Sequence, residues 1–279
     1  MKAKAYAKIN LAIKVLGVRE DGYHELEMVM ENINLYDKLT FSKSDKIHVR
    51  TSEYVCEEQD NIVYKAAHLI KQKYNVNEGI DIYIKKNIPS NAGLGGGSSD
   101  AACTIWVLNK MWKLNMKMED MASIANALGS DVLFFLYNSL SLIKGRGDII
   151  IPINKYFEEK AILIKPKLSV STKKVYEMCD NTVNDKEVSK LIENIESENA
   201  YDYMFNDLED ACMKAYPEYN LQEIKQHMAL YGAKKVMMSG SGSSIIVFVN
   251  DYKAFKFVKS DYPEYDIFKI KTISYCARF

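Results

Sequence analysis

Apolar and polar residues alternate at the start of the chain. Ala3, Ala5, Ala7, Ile9, Leu11, Ile13 and Val15 take one set of positions, and Lys2, Lys4, Tyr6, Lys8, Asn10 and Lys14 take the other. Period two predicts a strand with one face on a core. Arg19-Glu20-Asp21-Gly22 then reads as a turn. Ile33, Leu35, Leu39 and Phe41 predict more strand, as do residues 47–50. Asp60 or Asn61 is placed to cap a helix whose apolar face is Ile62, Val63, Ala66, Leu69 and Ile70. Ile80, Ile82 and Ile84 alternate again. After a glycine-rich stretch, Ser98 or Ser99 is placed to cap a helix reaching about Trp112. A second helix is expected over residues 119–128, with Gly129 ending it. Ser130 or Asp131 would cap the short apolar piece 132–136. Residues 140–144 and 149–153 flank Gly145-Arg146-Gly147 as a hairpin.

After Pro152 the pattern changes. A short strand at 161–165 precedes three expected helical stretches between Ser171 and Tyr231. Strands at 235–238 and 244–249 flank Ser239-Gly240-Ser241-Gly242, and a helix at 252–259 leads to a last strand at 267–274. This β–α–β–β–α–β order is that of a ferredoxin-like split sheet. It predicts an α+β protein of two domains, residues 1–156 and 157–279. The charge-dense segment 186–199 reads as a solvated helix face.

Composition narrows the class. The chain has 279 residues, 48% apolar and 27% charged, which suits a globular protein with a self-sufficient core. Lys plus Arg number 37 and Asp plus Glu 37. Zero net charge speaks against non-specific nucleic-acid binding, though not against one basic pocket. The longest apolar run, 132–137, is far short of the roughly 20 residues that span a bilayer. Lysines interrupt residues 1–8, so no signal-peptide core is expected there. Cys56, Cys103, Cys179, Cys212 and Cys276 are scattered without a C-x-x-C pair, so neither a disulfide framework nor a zinc site is expected. A reduced, cytoplasmic protein is the expectation.

The strongest chemical signal is Pro89-Ser90-Asn91-Ala92-Gly93-Leu94-Gly95-Gly96-Gly97-Ser98-Ser99-Asp100. Four of the thirteen glycines fall within five residues here, between a strand and a helix. Glycines let backbone N–H groups turn inward, and a helix start adds unpaired N–H groups and a positive dipole end. Together they make an anion site suited to a phosphate chain. No lysine follows Gly97, so this is not a Walker loop. Ser98 stands where a dinucleotide fingerprint and the protein-kinase loop need glycine. Asp100 would repel phosphate unless it faces away or holds a magnesium ion. Lys8 and Asn10 share a strand face, and solvent exposure alone accounts for that pattern. Asp131 can be a plain helix cap, Tyr23-His24 a loop and residues 239–242 a hairpin. What needs explaining is their joint occurrence in this order.

These motifs resemble the GHMP kinase superfamily. The matching blocks are Ala7-Lys8-Ile9-Asn10, Asp21-Gly22-Tyr23-His24-Glu25-Leu26, Lys86-x-Ile88-Pro89 with the glycine loop, Leu128-Gly129-Ser130-Asp131-Val132, Gly145-Arg146-Gly147 and Ser239-Gly240-Ser241-Gly242. The resemblance spans essentially the whole chain. It implies a ribosomal-protein-S5-like N-terminal domain, a ferredoxin-like C-terminal domain and a cleft between them. The block around Tyr23-His24 implies transfer of the γ-phosphoryl group of ATP, with Mg2+, to the 2-hydroxyl of 4-diphosphocytidyl-2-C-methyl-D-erythritol, a step of the non-mevalonate isoprenoid pathway. Carried over by position, Asp131 is the general base and Lys8 its charged neighbour, which favours the carboxylate and the transferring phosphoryl group. Residues 89–99 wrap the triphosphate, and Lys86 lies near the nucleotide base. Asn10, Tyr23 and His24 hold the cytidine, Tyr176 stacks on cytosine, and Gly240, Ser241 and Gly242 close the cleft. Leu133 stands where the family usually has proline, Tyr137-Asn138-Ser139 lacks the usual glycines, and Asp148 replaces a glutamate. These departures bear on where Asp131 sits. Another small-molecule kinase of the mevalonate or homoserine type, or a catalytically silent binding protein, remains an alternative. The Tyr23-His24 block speaks against the first, and the retained Asp131, Lys8 and loop speak against the second.

Overall fold

The computed structural model describes residues 1–179 and 185–274, and Cys276 lies outside them. The opening alternation becomes β1 (Lys2–Val18), which turns and runs back as β2 (His24–Ser44). The two pair antiparallel, from Lys2 opposite Thr40 to Val18 opposite His24. The register shifts between Tyr6 and Lys8, between Asn10 and Ala12, and between Val15 and Gly17. Such irregularities reverse the face that later side chains take. Ala3, Ala5 and Ile13 therefore pack in one core layer with Phe41 and Phe134. Ala7, Ile9 and Leu11 pack in the other with Leu163 and Phe248. The single apolar face expected from period two is divided. Lys8 and Asn10 come to the side of Met28 and Phe135, buried at 4% and 1% exposure. Solvent exposure does not explain them.

The first sheet continues through β3 (Ile47–Thr51) and β4 (Gly79–Lys85) beyond β2. On the other stretch of β2, residues 26–30 pair with β5 (Ser141–Gly145), which pairs with β6 (Ile149–Pro152). Four helices accompany it: α1 (Ile62–Lys73), α2 (Gly96–Met111), α3 (Met118–Leu128) and α4 (Ser130–Tyr137). Asn61 caps α1 by accepting the Val63 N–H at 2.9 Å. Leu133 does not prevent α4; its side chain is buried instead. Asn138 ends α4 at φ +56°, a left-handed conformation that asparagine tolerates where glycine is more usual.

The second sheet is β7 (Lys160–Lys165), β9 (Lys235–Met238), β10 (Ile245–Phe248) and β11 (Asp266–Lys271), in the order β11-β7-β10-β9 with every pairing antiparallel. This is the ferredoxin-like order expected. Between Ser171 and Tyr231 the described residues form four α-helices rather than three helical stretches: α5 (Thr172–Glu177), α6 (Val188–Asn194), α7 (Leu208–Ala215) and α8 (Leu221–Leu230); α9 (Phe255–Asp261) precedes the last strand. The sequence pattern also misses β8 (Phe205–Asn206), which crosses back and pairs parallel with Ala12 and Ile13 of β1. Two residues are too short to show a period. No helix among the described residues is long and apolar enough to cross a membrane.

A second tie between the sheets is the bridge of Ile33 to Thr272. Beside it Glu31 is fully buried, accepting the Asn32 N–H at 2.7 Å and the Ser274 hydroxyl at 3.2 Å. Burial pushes its carboxyl up to about 8. The folded chain therefore holds a proton there that the unfolded chain releases near pH 4.5. Stability falls as pH rises between those values and levels off above them. Glu31→Gln is expected to be more stabilising, or less destabilising, at pH 8 than at pH 5 by roughly 1–3 kcal/mol. Urea unfolding at the two pH values measures this, and an equal effect at both would contradict it.

Candidate active site

The glycine loop is held from both sides. Gly93 and Gly95 have φ of +70° and +69°, a region open to glycine at little cost. A Cβ on Gly93 would collide with the Ser239 carbonyl oxygen, and one on Gly95 would lie 2.7 Å from the Phe135 ring. The Lys8 N–H donates to the Leu94 carbonyl at 3.0 Å, and the Ser239 hydroxyl donates to the Gly93 carbonyl at 3.3 Å. Asn206 in turn fixes the Ser239 loop, its side-chain amide donating to the Met238 and Gly240 carbonyls at 2.9 and 2.8 Å.

Helix α2 starts inside the glycine run, not at Ser98 or Ser99. Its cap is Gly95, without a side-chain hydrogen bond. The first-turn N–H groups, with no helical partner, therefore belong to Gly96, Gly97 and Ser98. Ser99 and Asp100 are buried on the core side.

Opposite the loop, Asp131 occupies the first turn of α4. The cap there is Gly129, again without a side-chain bond, so the Asp131 carboxylate is not spent on capping. Its Oδ2 lies 3.9 Å from Lys8 Nζ, with side-chain exposures of 37% and 5%. Lys8 also donates to Asn10 Oδ1 at 2.8 Å. Burial lowers the Lys8 pKa, and the Asp131 charge partly offsets this. Asn10 thus serves Lys8 directly, a different contact from the cytidine one expected of it.

These groups border one cavity of about 710 Å³. Of the expected site residues, Lys8, Asn10, Tyr23, His24, Gly93, Gly95, Asp131, Tyr176, Gly240 and Ser241 line it. Tyr176 and His24 pack together with ring centroids 4.9 Å apart, and burial raises the Tyr176 pKa. Tyr23 is 59% exposed, with the Arg146 guanidinium 5.5 Å from its ring centroid. Ser241 meets the Thr172 hydroxyl at 2.8 Å. Ala92 and Leu94 are core residues. Asn91, Gly96, Gly97, Ser98, Ser99 and Gly242 are not on the cavity wall, and Pro89 and Ser90 border a separate groove with Lys165 and Asp266.

Lys86 departs from expectation. It borders that second groove, but its ammonium is buried between Asp37 and Asp100, 2.8 Å from the latter, with side-chain exposures of 7%, 0% and 3% for Lys86, Asp37 and Asp100. Asp37 also accepts the Ile88 N–H at 2.9 Å. Burial opposes the Lys86 charge, yet the two carboxylates outweigh it and its pKa is raised. Burial pushes Asp100 up to about 7 against the pull of Lys86. Asp100 is buried against Lys86 and is no open metal ligand. Among the described residues no three His, Cys, Asp or Glu side chains form a metal-binding group. Sequence reasoning missed Asp37, Asn206 and Arg146. Only Arg146 carried a signal, in Gly145-Arg146-Gly147.

Removing the Lys86 charge leaves two buried carboxylates facing each other. Lys86→Met is expected to cost about 3–5 kcal/mol at pH 8. The cost should shrink at pH 6, where Asp100 takes up a proton. Denaturant unfolding at both pH values checks this, and an unaltered midpoint would show that the cluster does not hold the loop's base.

Comparison with known proteins agrees with this geometry. Residues 61–139 match the GHMP kinases N terminal domain. The chain is 36% identical to a 4-diphosphocytidyl-2-C-methyl-D-erythritol kinase of Clostridium perfringens (strain 13 / Type A), covering 98% of this chain and 99% of the relative. It is 41% identical to one of Bacillus pumilus over 87% and 86% of the two chains. A crystal structure of 4-(cytidine 5'-diphospho)-2C-methyl-D-erythritol kinase superposes with a TM-score of 0.85 at 28% identity, covering 98% and 99%. The chain belongs to the 4-diphosphocytidyl-2-C-methyl-D-erythritol kinase family of the GHMP kinases.

Proposed function

We infer that Asp131 is the general base with which this kinase phosphorylates the 2-hydroxyl of 4-diphosphocytidyl-2-C-methyl-D-erythritol at the expense of ATP. The observation that carries the assignment is the meeting of Lys8 and Asp131 in one cavity with the glycine loop. Phosphoryl transfer asks mainly for positioning and charge neutralisation. Asp131 accepts the hydroxyl proton as that oxygen bonds to the γ-phosphorus, and the bond to the β-phosphate oxygen breaks to release ADP. Lys8, partly stripped of water, faces the charge on the transferring group. The loop of residues 89–99, which reaches the cavity wall through Gly93 and Gly95, holds the triphosphate together with the adjoining first-turn amides of α2. Tyr23, His24 and Tyr176 form the cytidine end, and Gly240, Ser241 and Gly242 close over the acceptor.

Lys86 is better read as a positioning residue beneath the loop than as a base contact. The donor set suits magnesium that arrives with ATP. Mg2+ takes one or two carboxylates plus phosphate oxygens and water; Asp131 and Glu177 are the carboxylates on the cavity wall, and with Asp131 kept as the base the ion would be held mainly by the phosphates it arrives with. When bound, the ion neutralises phosphate charge. The division into residues 1–156 and 157–279, and a cytoplasmic location, are part of the same reading.

ADP release measured with the cytidine substrate, mevalonate and homoserine separates this function from its alternatives; turnover of mevalonate or homoserine alone would reject it. Asp131→Asn is expected to lower kcat on the order of a hundredfold or more with ATP binding retained; full turnover would reject the base. Tyr176→Ala is expected to weaken the cytidine substrate by about 1–3 kcal/mol while leaving the KM for ATP in place; equal loss for both substrates would point to a general collapse of the cleft.

A further inference from the structure

We propose that Arg146 is the residue that binds the diphosphate of the cytidine substrate and so sets specificity for a nucleoside diphosphate over a bare nucleoside. The proposal rests on the function argued above. That substrate places its reacting alcohol at one end and its cytosine at the other, with two phosphates between them. Phosphate oxygens entering a partly apolar cavity need cationic partners.

Three cationic side chains line the cavity: Lys8, Arg146 and Lys173. Lys8 is held by Asn10 and Asp131 beside the glycine loop. Lys173 is 88% exposed and lies 3.9 Å from Glu177. Arg146 is differently built. It sits at the tip of the turn between β5 and β6, where Gly145 and Gly147 have φ of +70° and +101°. A Cβ on Gly147 would come within 3.0 Å of the Ser130 Cβ, so the turn is pressed against the residue that precedes Asp131. The guanidinium lies over Tyr23 at 5.5 Å. Arg146 therefore stands between the ring assigned to the base and the carboxylate assigned to the alcohol, which is where the diphosphate must pass.

Its orientation is set locally. Asp148 Oδ1 accepts the Arg146 N–H at 3.1 Å, and Asp148 Oδ2 lies 3.6 Å from Nε. Among the described residues neither terminal nitrogen of the guanidinium makes a hydrogen bond, and the Asp21 carboxylate feels its charge only at a distance. A planar guanidinium paired with Asp148 on its Nε side and lying near the Tyr23 ring keeps both terminal nitrogens for a forked contact to phosphate oxygens. A lysine there would offer only a point charge.

The test uses CDP and cytidine as competitive inhibitors of the full-length enzyme, with the KM values for both substrates. The wild-type chain is expected to bind CDP at least tenfold more tightly than cytidine. Arg146→Ala should erase most of that ratio and raise the KM for the cytidine substrate about tenfold, with the KM for ATP unchanged. Arg146→Lys should recover part of the ratio, and only at low salt. Lys173→Ala should leave it intact. Equal weakening of CDP and cytidine by Arg146→Ala would show that the side chain only supports Tyr23, and would overturn the proposal. So would an unchanged ratio, or its loss in Lys173→Ala instead. A wild-type chain that shows the CDP preference, and loses it with Arg146, yet phosphorylates no cytidine alcohol would support the subsite and reject the function it was built upon.

Discussion

The site depends on one lysine ammonium taken out of water. Lys8 is buried at 4% exposure, and a desolvated cation needs compensation from close partners. Asn10 and Asp131 provide it. Two glycines make the room. A Cβ on Gly95 would stand 3.3 Å from the Lys8 stem, and one on Gly240 would stand 3.5 Å from its Nζ. One of those glycines belongs to the phosphate loop and the other to the loop after β9, so both sheets shape the space around a single charge. The uneven pairing of β1 is part of the same arrangement. Without the register shift between Tyr6 and Lys8, the ammonium would face the opposite core layer.

A second buried lysine shows what a fully compensated cation looks like. Lys86 has two carboxylates, and its pKa is raised. Lys8 has one carboxylate at longer range and a neutral amide, and its pKa is lowered. The difference separates an ion cluster whose carboxylates outweigh burial from a lysine whose burial is only partly offset. Lys86 gains little from a further anion, because its surroundings already carry an excess of negative charge. Lys8 is short of negative charge until an anion reaches it. An arriving phosphoryl group therefore improves the Lys8 environment more than the Lys86 environment, and the fold places the first of these at the cavity wall.

Much of the fold could be read from the sequence, because period and punctuation are local signals. The strands at Ile80, Ile82 and Ile84 and in the second sheet, the Asn61 cap and the stop at Gly129 all follow from neighbours along the chain. What escaped depends on partners far away. The register shifts in β1 are properties of a pair of strands, so a single strand cannot display them. β8 exists because β1 offers it an edge at Ala12 and Ile13. The start of α2 moved into the glycine run because packing against Ser239 and Phe135, not a serine cap, fixes Gly93 and Gly95. The same limit applied to the site. Lys8, Asp131 and the loop were singled out through resemblance, and the structure brings Lys8, Asp131, Gly93 and Gly95 to one cavity. Asp37, whose partner Lys86 is distant in sequence, was not, and Asn10 and Lys86 turned out to spend their polar groups within the protein.

The phosphate loop and the Ser239 loop are better regarded as one element than as two. The first follows β4 in the first sheet and the second joins β9 to β10 in the other, yet each fixes the other's backbone. The Gly93 carbonyl takes the Ser239 hydroxyl, and the Ser239 carbonyl fills the space a side chain at Gly93 would need. Asn206 then ties the Ser239 loop to β8, and β8 to β1, returning to the strand that carries Lys8. This closed circuit of backbone and side-chain contacts makes the shape of the glycine loop a property of the junction between the sheets. A change that separates the sheets would pull on the glycine loop directly, through the contacts of Gly93 with Ser239.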